Sequence, residues 1–416
     1  MTATVTLARR PEVRRGWLGA TDALGAPLFL GFGIVIILRP YVMGRDIPGD
    51  LGDSRFNLAL LEFFYHTLRA ALHGGRAADF LNAPFFYPWP RVTNFSDTFW
   101  GDAGVYAFAR GLGVGQLRAF QVWFVAGFAL TYATAFVSFR KFGLGSWGAA
   151  SGSFLFAFAL PMMAQFGHTQ LVYRLWMPPA ILALDRFLTR RSLRAGAACI
   201  LFIALQLAVG IYLGLFLCLL GASYALALLL VQRDCLALPS PGKLCAAGIQ
   251  ELCTTGVLFL AGLILLLVVG LPYFHVQSMY GFNRSWSEVF LPRPGSYLLA
   301  GVSTLWPNLS HFTDPSVWEQ QLFPGLSAII PFVWFILSRK ARARQPLAAV
   351  MVVSVVILFA ITISVDGHTL YRLIYLIPGF SAIRAVPRVI LVMMLPLAAL
   401  FGLLVDGLAR MSHTGE

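Results

Sequence analysis

The chain has 416 residues, of which 58% are hydrophobic and only 12% are charged, with a formal net charge of +13. Its mean hydropathy is +0.75. A soluble protein cannot bury so much apolar surface while carrying so few charges, so the composition excludes an ordinary soluble domain and indicates a polytopic membrane protein. The apolar runs are too continuous for the alternating strands of a membrane β-barrel, so we expect an all-α fold.

Ten apolar runs are long enough to cross a hydrocarbon core of ~30 Å as helices. They lie near residues 18–38, 119–139, 146–165, 171–188, 195–211, 212–231, 254–274, 321–338, 346–365 and 389–409. Arg9, Arg10, Arg14 and Arg15 precede the first run, which we interpret as an uncleaved signal anchor with a cytoplasmic N-terminus. Residues 1–416 are thus predicted to form a single integral membrane domain.

The distribution of Lys and Arg supports a topology with both ends in the cytoplasm, and we expect the membrane to be a bacterial plasma membrane. All predicted cytoplasmic connections carry cations, whereas the short opposite turns at 166–170 and 210–212 carry none. These cations are Arg140, Lys141, Arg186, Arg190, Arg191, Arg194, Arg233, Lys243, Arg339, Lys340, Arg342, Arg344 and, after the last run, Arg410. The positive charge is therefore explained by topology and contact with anionic lipid, and we predict no nucleic-acid partner.

The first and fourth extracytoplasmic loops, residues 39–118 and 275–320, are predicted to be large. Residues 54–73 of the first loop have a helical pattern with a narrow polar stripe and a wide, aromatic-rich apolar surface. Such a helix is expected to lie in the membrane interface, with Asp53 or Ser54 as its N-cap. Carboxylates concentrate in the outside segments, so the spans are expected to be nearly free of charge, which counts against an ion-coupled transporter.

Asp50 and Asp53 in "GDLGDSRFN" are the first candidate catalytic residues. They follow the first span at the membrane surface, where a lipid-borne substrate presents its headgroup, and Gly49 and Gly52 allow the backbone to turn tightly there. A carboxylate at this position can act as a general base or hold a divalent cation, Mg²⁺ or Mn²⁺. The structural alternative is helix capping by Asp53 and a plain turn at Asp50.

Arg384 and Arg388 flank Pro387, which is expected in the first turn of the last span. Together with the positive end of that helix, and with Arg372 nearby in sequence, they form a candidate site for a phosphate. The alternative is that these arginines only extend their charged ends to the membrane surface.

Four further residues are weaker candidates for binding substrate or metal. Glu288 lies in the second long loop, and His168 lies in the short turn "QFGHTQL" between two spans. Asp97 and Asp102 follow the aromatic segment of the first loop and are equally consistent with caps or turns. The five cysteines have no zinc-ligand spacing, and we expect them to be reduced.

The acidic motif "GDLGDSRFN" after the first span, with the later segments "EQQLFPG", "LYRLIYLIPGF" and "IRAVPRV", resembles the GT-C superfamily of membrane glycosyltransferases, in particular its bacterial members. The resemblance implies a GT-C-like fold with a large first outside loop. It implies a polyprenyl-phosphate-linked sugar as donor and a lipid-linked or envelope glycan as acceptor. It also implies that Asp50 or Asp53 is the catalytic base or a metal ligand, and that Arg384, Arg388 and Arg372 bind the donor phosphate.

Three alternatives remain at this stage. A lipid-linked glycan flippase or exporter needs a polar pathway through the spans, where few charges are found. A membrane acyltransferase needs a His or a His–Asp pair at its reaction centre, and His66, His73 and His168 show no pairing pattern in the sequence. A non-catalytic membrane subunit would tolerate changes at Asp50 and Asp53.

Overall fold

The computed structural model describes residues 20–75, 79–232, 248–281, 290–301 and 318–414. The fold of these residues is all-α, as the sequence predicts, and no β-strand occurs among them. The helices of the first half are α1 Ala20–Phe32, α2 Arg39–Val42, α3 Asp53–Leu72, α4 Ala103–Gly111, α5 Gln116–Phe142, α6 Ser146–Ala157, α7 Leu160–Ala164, α8 Met177–Arg190 and α9 Leu193–Val209. Those of the second half are α10 Ile211–Val231, α11 Ile249–Tyr280, α12 Leu326–Leu337, α13 Arg339–Arg344, α14 Pro346–Thr362, α15 Tyr371–Ile374 and α16 Val389–Thr414.

Five helical segments of the described residues are long and apolar enough to cross a membrane. They are Gln116–Phe142, Ser146–Ala164, Ile211–Val231, Ile249–Tyr280 and Val386–Met411. Four shorter apolar helices, Leu24–Ile37, Leu193–Val209, Leu326–Leu337 and Pro346–Thr362, coincide with other predicted runs. The protein therefore has membrane-spanning character, and the count of ten crossings stays a prediction.

Two long helices differ greatly in how deeply they are buried in the bundle. The most apolar window of Val386–Met411 is 83% buried, whereas that of α11 is only 11% buried. The last helix is therefore central and packs on α6, α12 and α14, while α11 is peripheral and packs mainly on α9. Exposed apolar side chains along α11, such as Leu260, Ile264 and Phe274, are what a surrounding bilayer would cover.

The central crossing of α6 and α16 depends on glycines. A Cβ at Gly148 would lie 2.4 Å from the Gly402 carbonyl oxygen, and a Cβ at Gly402 would lie 2.5 Å from the Gly148 carbonyl oxygen. Only residues without a Cβ allow the two backbones to come so close. Asp406 of α16 accepts hydrogen bonds from the Gly145 and Gly148 amides and so caps the N-terminus of α6.

The predicted fourth run, 171–188, begins too early. Residues Thr169–Val172 form a 3₁₀ turn, and the α-helix begins only at Met177. Pro178 and Pro179 explain the start, because proline fits the first helical turn but deeper in a helix would remove a backbone hydrogen bond and clash with the preceding turn.

The expectation that the spans are nearly free of charge needs a correction at Arg174, which lies inside that predicted run and is fully buried. Its guanidinium donates to the carbonyl oxygens of Phe156 and Ala157, each at 2.8 Å. These carbonyls end α6, so the buried cation satisfies the free C-terminal carbonyls of a helix. Arg174 therefore has a structural explanation and does not indicate a substrate pathway.

Helix α3 matches the predicted helix 54–73 to within one residue at each end. Its buried face comprises Ser54, Asn57, Leu60, Leu61, Phe64 and Thr67. The polar stripe is anchored at Glu62, whose carboxylate accepts from Arg110 Nη2 at 2.8 Å and from the Tyr106 hydroxyl, both on α4. This ion pair fixes α3 against α4 and so positions the start of α3.

Three of the five cysteines, Cys199, Cys218 and Cys253, are free thiols, as the sequence predicts. Cys235 and Cys245 lie outside the described residues.

Candidate functional site

Four ionisable side chains from distant parts of the sequence converge at the start of α3. Asp53 is the first residue of α3, and His168 immediately precedes the 3₁₀ turn Thr169–Val172. Glu319 lies in a second 3₁₀ turn, and Arg388 ends a third turn that leads into α16. We call Asp53, His168, Glu319 and Arg388 the ion-pair chain.

The ion-pair chain is continuous. His168 Nδ1 lies 2.6 Å from Asp53 Oδ2, and His168 Nε2 lies 3.2 Å from Glu319 Oε1. Arg388 donates to both oxygens of Glu319, through Nη2 at 2.6 Å and through Nε at 3.3 Å. This two-point contact is the strong geometry for an arginine–carboxylate pair. Exposure rises along the chain, from 7% for the Arg388 side chain to 51% for the Asp53 side chain.

Close packing of two glycine-containing turns brings Asp53 to His168. Gly49 has a φ of +85°, and a Cβ there would lie 2.6 Å from the Phe166 carbonyl oxygen. A Cβ at Gly167 would lie 2.5 Å from Asp50 Oδ2. One turn further along α3, Asn57 Nδ2 donates to Thr169 Oγ1 at 2.9 Å and to Gln170 Oε1 at 2.8 Å. These contacts hold the start of α3 against the turn that carries His168.

The contacts within the ion-pair chain favour the charged forms of Asp53, His168 and Glu319. The hydrogen bond from His168 lowers the pKa of Asp53. Burial raises the pKa of Glu319, but His168 and Arg388 outweigh it and bring that pKa to about 2. Burial also lowers the pKa of His168, yet its hydrogen bonds to Asp53 and Glu319 leave that pKa above the ordinary value. An imidazolium between two carboxylates donates from both ring nitrogens.

Helix capping does not account for Asp53. The N-cap of α3 is Gly52, and no side chain accepts a capping hydrogen bond there, so the expectation that Asp53 or Ser54 is the cap is wrong. The Asp53 carboxylate instead contacts His168 through one oxygen, and half of its side-chain surface is exposed. An ionised, accessible carboxylate has an oxygen left for a substrate hydroxyl.

Asp50 has the simpler role that the sequence also allowed. Its Oδ1 accepts a hydrogen bond from the Gly52 amide at 2.8 Å, which closes an Asx-type turn. Like Asp53, the residue is exposed. Of the two predicted catalytic carboxylates, Asp53 is the one that lies in the ion-pair chain.

The structure separates the three arginines of the predicted phosphate site. The Arg388 guanidinium is buried and already paired with Glu319, so the anion it meets belongs to the protein. Arg384 is exposed, and its guanidinium carbon lies 5.1 Å from the ring centroid of Phe290. Arg384 and Arg388 share one neighbour, because Tyr212 accepts from the Arg384 amide and its ring lies 5.3 Å from the Arg388 guanidinium. Arg372 is exposed and donates to the Gly367 carbonyl oxygen at 3.0 Å.

Asp97 and Asp102 lie behind this site and are buried. Asp97 Oδ1 lies 3.4 Å from the Tyr212 amide nitrogen, and burial raises its pKa although the charge of Arg388 opposes this. Burial and the nearby Asp97 raise the pKa of Asp102 well above its ordinary value. Both carboxyls are therefore harder to ionise than an exposed aspartate.

In the described parts of the chain, no group of three or more His, Cys, Asp or Glu side chains is arranged to hold a metal ion. Asp97 and Asp102 belong to no such group among these residues, and their role as metal ligands stays a prediction. Glu288, the remaining candidate for substrate or metal, lies outside the described residues.

Sequence reasoning gave too little weight to Glu319 and did not single out Asn57 or Gln170. Glu319 stands 69 residues before Arg388, and Asn57 stands 113 residues before Gln170. No local spacing indicates such pairs. One signal for Glu319 was available. It is the acidic residue of "EQQLFPG", directly before the predicted span 321–338, and it lies on the same predicted side of the membrane as Arg388.

The charge on His168 gives a pH prediction. Because its pKa is raised in the folded state, its stabilising contribution is fully present below the unfolded value of about 6.5 and is lost as pH rises through the folded pKa. The stability difference between wild type and His168→Gln should therefore be largest in mild acid and shrink in alkali. Thermal melts of the detergent-solubilised protein over pH 6 to 10 would measure it. His368→Gln removes an exposed imidazole outside the ion-pair chain and serves as the control. A stability difference for His168→Gln that does not change with pH would contradict the assignment.

No family model, no curated protein and no solved structure matches the chain.

Proposed function

We propose that the protein is a membrane glycosyltransferase that moves a sugar from a polyprenyl-phosphate donor to an acceptor hydroxyl outside the cytoplasm. The proposal includes ten crossings with both termini in the cytoplasm. The observation that carries it is the convergence of Asp53, His168, Glu319 and Arg388, four residues from separate segments, at the accessible start of one helix. Clusters of perturbed ionisable groups at an accessible surface are typical of functional sites.

Asp53 is assigned as the general base. Its Oδ2 is held by His168, which leaves Oδ1 to accept the proton of the acceptor hydroxyl. As that proton moves to Asp53, the acceptor oxygen forms a bond to the anomeric carbon and the bond from that carbon to the phosphate oxygen breaks. The products are the glycosylated acceptor and polyprenyl phosphate, and Asp53 then returns its proton to water.

Negative charge develops on the departing lipid phosphate, and Arg384 is the cation assigned to it. Its guanidinium is exposed and stacks on Phe290. A planar guanidinium can donate hydrogen bonds to two phosphate oxygens at once. Such a contact stabilises the negative charge that develops on the phosphate in the transition state. Arg388 is assigned a positioning role, because its hydrogen bonds hold Glu319, which in turn holds His168.

Acyl transfer is the second candidate, because the structure contains the His–Asp contact that such an enzyme requires. The wider geometry favours Asp53 over His168 as the base. A histidine base needs one ring nitrogen free to accept a proton, but both nitrogens of His168 lie within 3.2 Å of carboxylate oxygens. A flippase would need a polar path through the bundle, and Arg174, the buried cation of the predicted fourth run, is occupied by helix carbonyls.

A transfer assay tests the proposal. Purified protein would be given radiolabelled polyprenyl-phosphate sugars with envelope acceptors and, separately, acyl donors, each with wild type and His168→Gln. Sugar transfer by the wild type supports the proposal. Acyl transfer without sugar transfer would replace it with the second candidate. If neither donor is consumed while labelled lipid crosses proteoliposome membranes, the protein is a flippase.

A further inference from the structure

A groove on a different part of the molecule has no role in the proposed reaction. It has a volume of about 700 Å³ and is formed by α5, α8 and α9. Gln116 at the start of α5 donates to Glu62 of α3 at 3.2 Å, which places this end of α5 near the ion-pair chain. The groove includes Lys141 at the other end of α5, roughly 37 Å further along the helix axis. The two sites therefore lie at opposite ends of a predicted membrane-spanning helix.

One end of the groove is cationic. Lys141, Arg186 and Arg194 line it, and none of its described lining residues is acidic. None of the three cations forms an ion pair with any residue in the part of the chain that the structure describes. Arg186 Nε is buried without a hydrogen-bond partner among the described residues. A partly buried guanidinium without a counterion would be stabilised by an anion that enters the groove.

The same end of the groove contains a helix N-terminus. Ser192 caps the 17-residue helix α9, and its hydroxyl accepts a hydrogen bond from the Ala195 amide at 3.3 Å. Ser192, Arg194 and Ala195 all line the groove. The remaining free amides of this first turn and the helix dipole add to the attraction for an anion.

The other end of the groove is apolar. Trp176 and Phe202 form a stacked pair with ring centroids 5.7 Å apart. Ala133, Pro179 and Ala198 complete this end. Phe202 is eight residues beyond Arg194 on α9, so the apolar end lies roughly 12 Å from the cationic end. An amphiphile with an anionic head and a hydrocarbon tail matches both the charge and the length of this groove.

We propose that the groove binds an anionic phospholipid of the surrounding bilayer, with its phosphate among Lys141, Arg186, Arg194 and the N-terminus of α9. The acyl chain lies along Trp176 and Phe202. Basic pockets between helices at the predicted cytoplasmic surface are the usual location for such headgroups. This inference does not depend on the proposed glycosyl transfer, since it uses none of the residues of that site.

Native mass spectrometry of the full chain in detergent tests it, with phosphatidylglycerol and phosphatidylcholine supplied together. Wild type should retain phosphatidylglycerol in preference to phosphatidylcholine. Arg186→Gln with Arg194→Gln should bind phosphatidylglycerol about 30-fold more weakly. The matched control, Arg339→Gln with Lys340→Gln, removes two exposed cations away from the groove and should bind like wild type. If both double variants lose phosphatidylglycerol binding equally, the binding is due to diffuse surface charge and the proposal is overturned. Equal retention of the two lipids by wild type would also overturn it.

Two further arms separate the groove from a soluble-anion site and from misfolding. Inorganic phosphate at millimolar concentration should not displace the lipid, and displacement would show that the site is for a free anion. Ala198→Leu changes no charge but fills the apolar end, and it should weaken phosphatidylglycerol binding several-fold with an unchanged melting temperature in phosphatidylcholine. Unchanged lipid binding by Ala198→Leu would show that the acyl chain does not lie in the groove and would contradict the proposal.

Discussion

Replacing Asp53 with Asn is expected to reduce sugar transfer by about 10²–10⁴-fold, the contribution that a general base makes. The substituted amide keeps an oxygen for the hydrogen bond from His168, but it cannot take a proton from the acceptor. Asp50→Asn should retain activity close to wild type, because the Asp50 carboxylate closes a turn with Gly52 and has no contact with the ion-pair chain. Each variant loses one negative charge, at sites three residues apart, so each is the control for the other.

Initial rates with saturating acceptor would be compared for wild type, Asp50→Asn, Asp53→Asn and Asp53→Glu. The Glu variant keeps the base on a longer side chain and should recover part of the lost rate. Thermal melts would establish that Asp53→Asn is folded. Loss of transfer in Asp50→Asn with full transfer in Asp53→Asn would show that Asp50 is the base. Full transfer in both variants would show that neither carboxylate is the base and that both have only a structural role.

The sequence predicted the helices better than the site. Composition and hydropathy were sufficient for the all-α membrane class, and α3 was predicted to within one residue because glycines and Asp53 precede a strongly periodic segment. The fourth run failed for a local reason. Residues 171–176 are apolar enough to resemble a helix, yet the prolines at 178 and 179 delay the helix to Met177 and leave Arg174 in irregular backbone.

The sequence named Asp53, His168 and Arg388 as candidates but did not show that they form one chain with Glu319. Asp53 and Arg388 were identified because each stands at the edge of a predicted span. Their connection through His168 and Glu319 was not predictable, since His168 is 115 residues from Asp53 and the pairing arises from tertiary packing of two glycine turns. Arg388 illustrates the consequence. Sequence spacing predicted a free cation for a substrate phosphate, whereas the fold supplies its own carboxylate to that cation.

Removing the charge of Glu319 is expected to be the most destabilising single change at the site. Glu319→Gln leaves the Arg388 guanidinium, whose side chain is 7% exposed, without its counterion. Breaking a buried ion pair from one side costs about 3–5 kcal/mol of unfolding free energy, because the remaining charge is desolvated and uncompensated. The exposed Glu251→Gln serves as the control and should stay within about 0.5 kcal/mol of wild type.

A double-mutant cycle separates the interaction energy of Glu319 and Arg388 from the effects of the two single changes. Arg388→Gln should also destabilise, since it leaves Glu319 with His168 as its remaining cation. The double variant, Glu319→Gln with Arg388→Gln, carries no unpaired charge, so it should cost less than the sum of the two single changes by about 0.5–3 kcal/mol. Denaturant titrations of the full chain in one detergent would give all four free energies. Strictly additive costs would show that the contact is not an energetic pair.

The acid dependence of stability gives an independent test of the same contact. The pKa of Glu319 is lowered to about 2 in the folded state, because His168 and Arg388 outweigh the effect of burial. Its contribution is therefore fully present above the unfolded value of about 4.5 and is lost as pH falls toward 2. Wild type should lose more stability than Glu319→Gln across this interval. Together with the loss of the His168 contribution as pH rises through its raised folded pKa, this confines the fully charged ion-pair chain to the interval between the folded pKa of Glu319 and that of His168. The lowered pKa of Asp53 keeps the assigned base ionised through most of that interval.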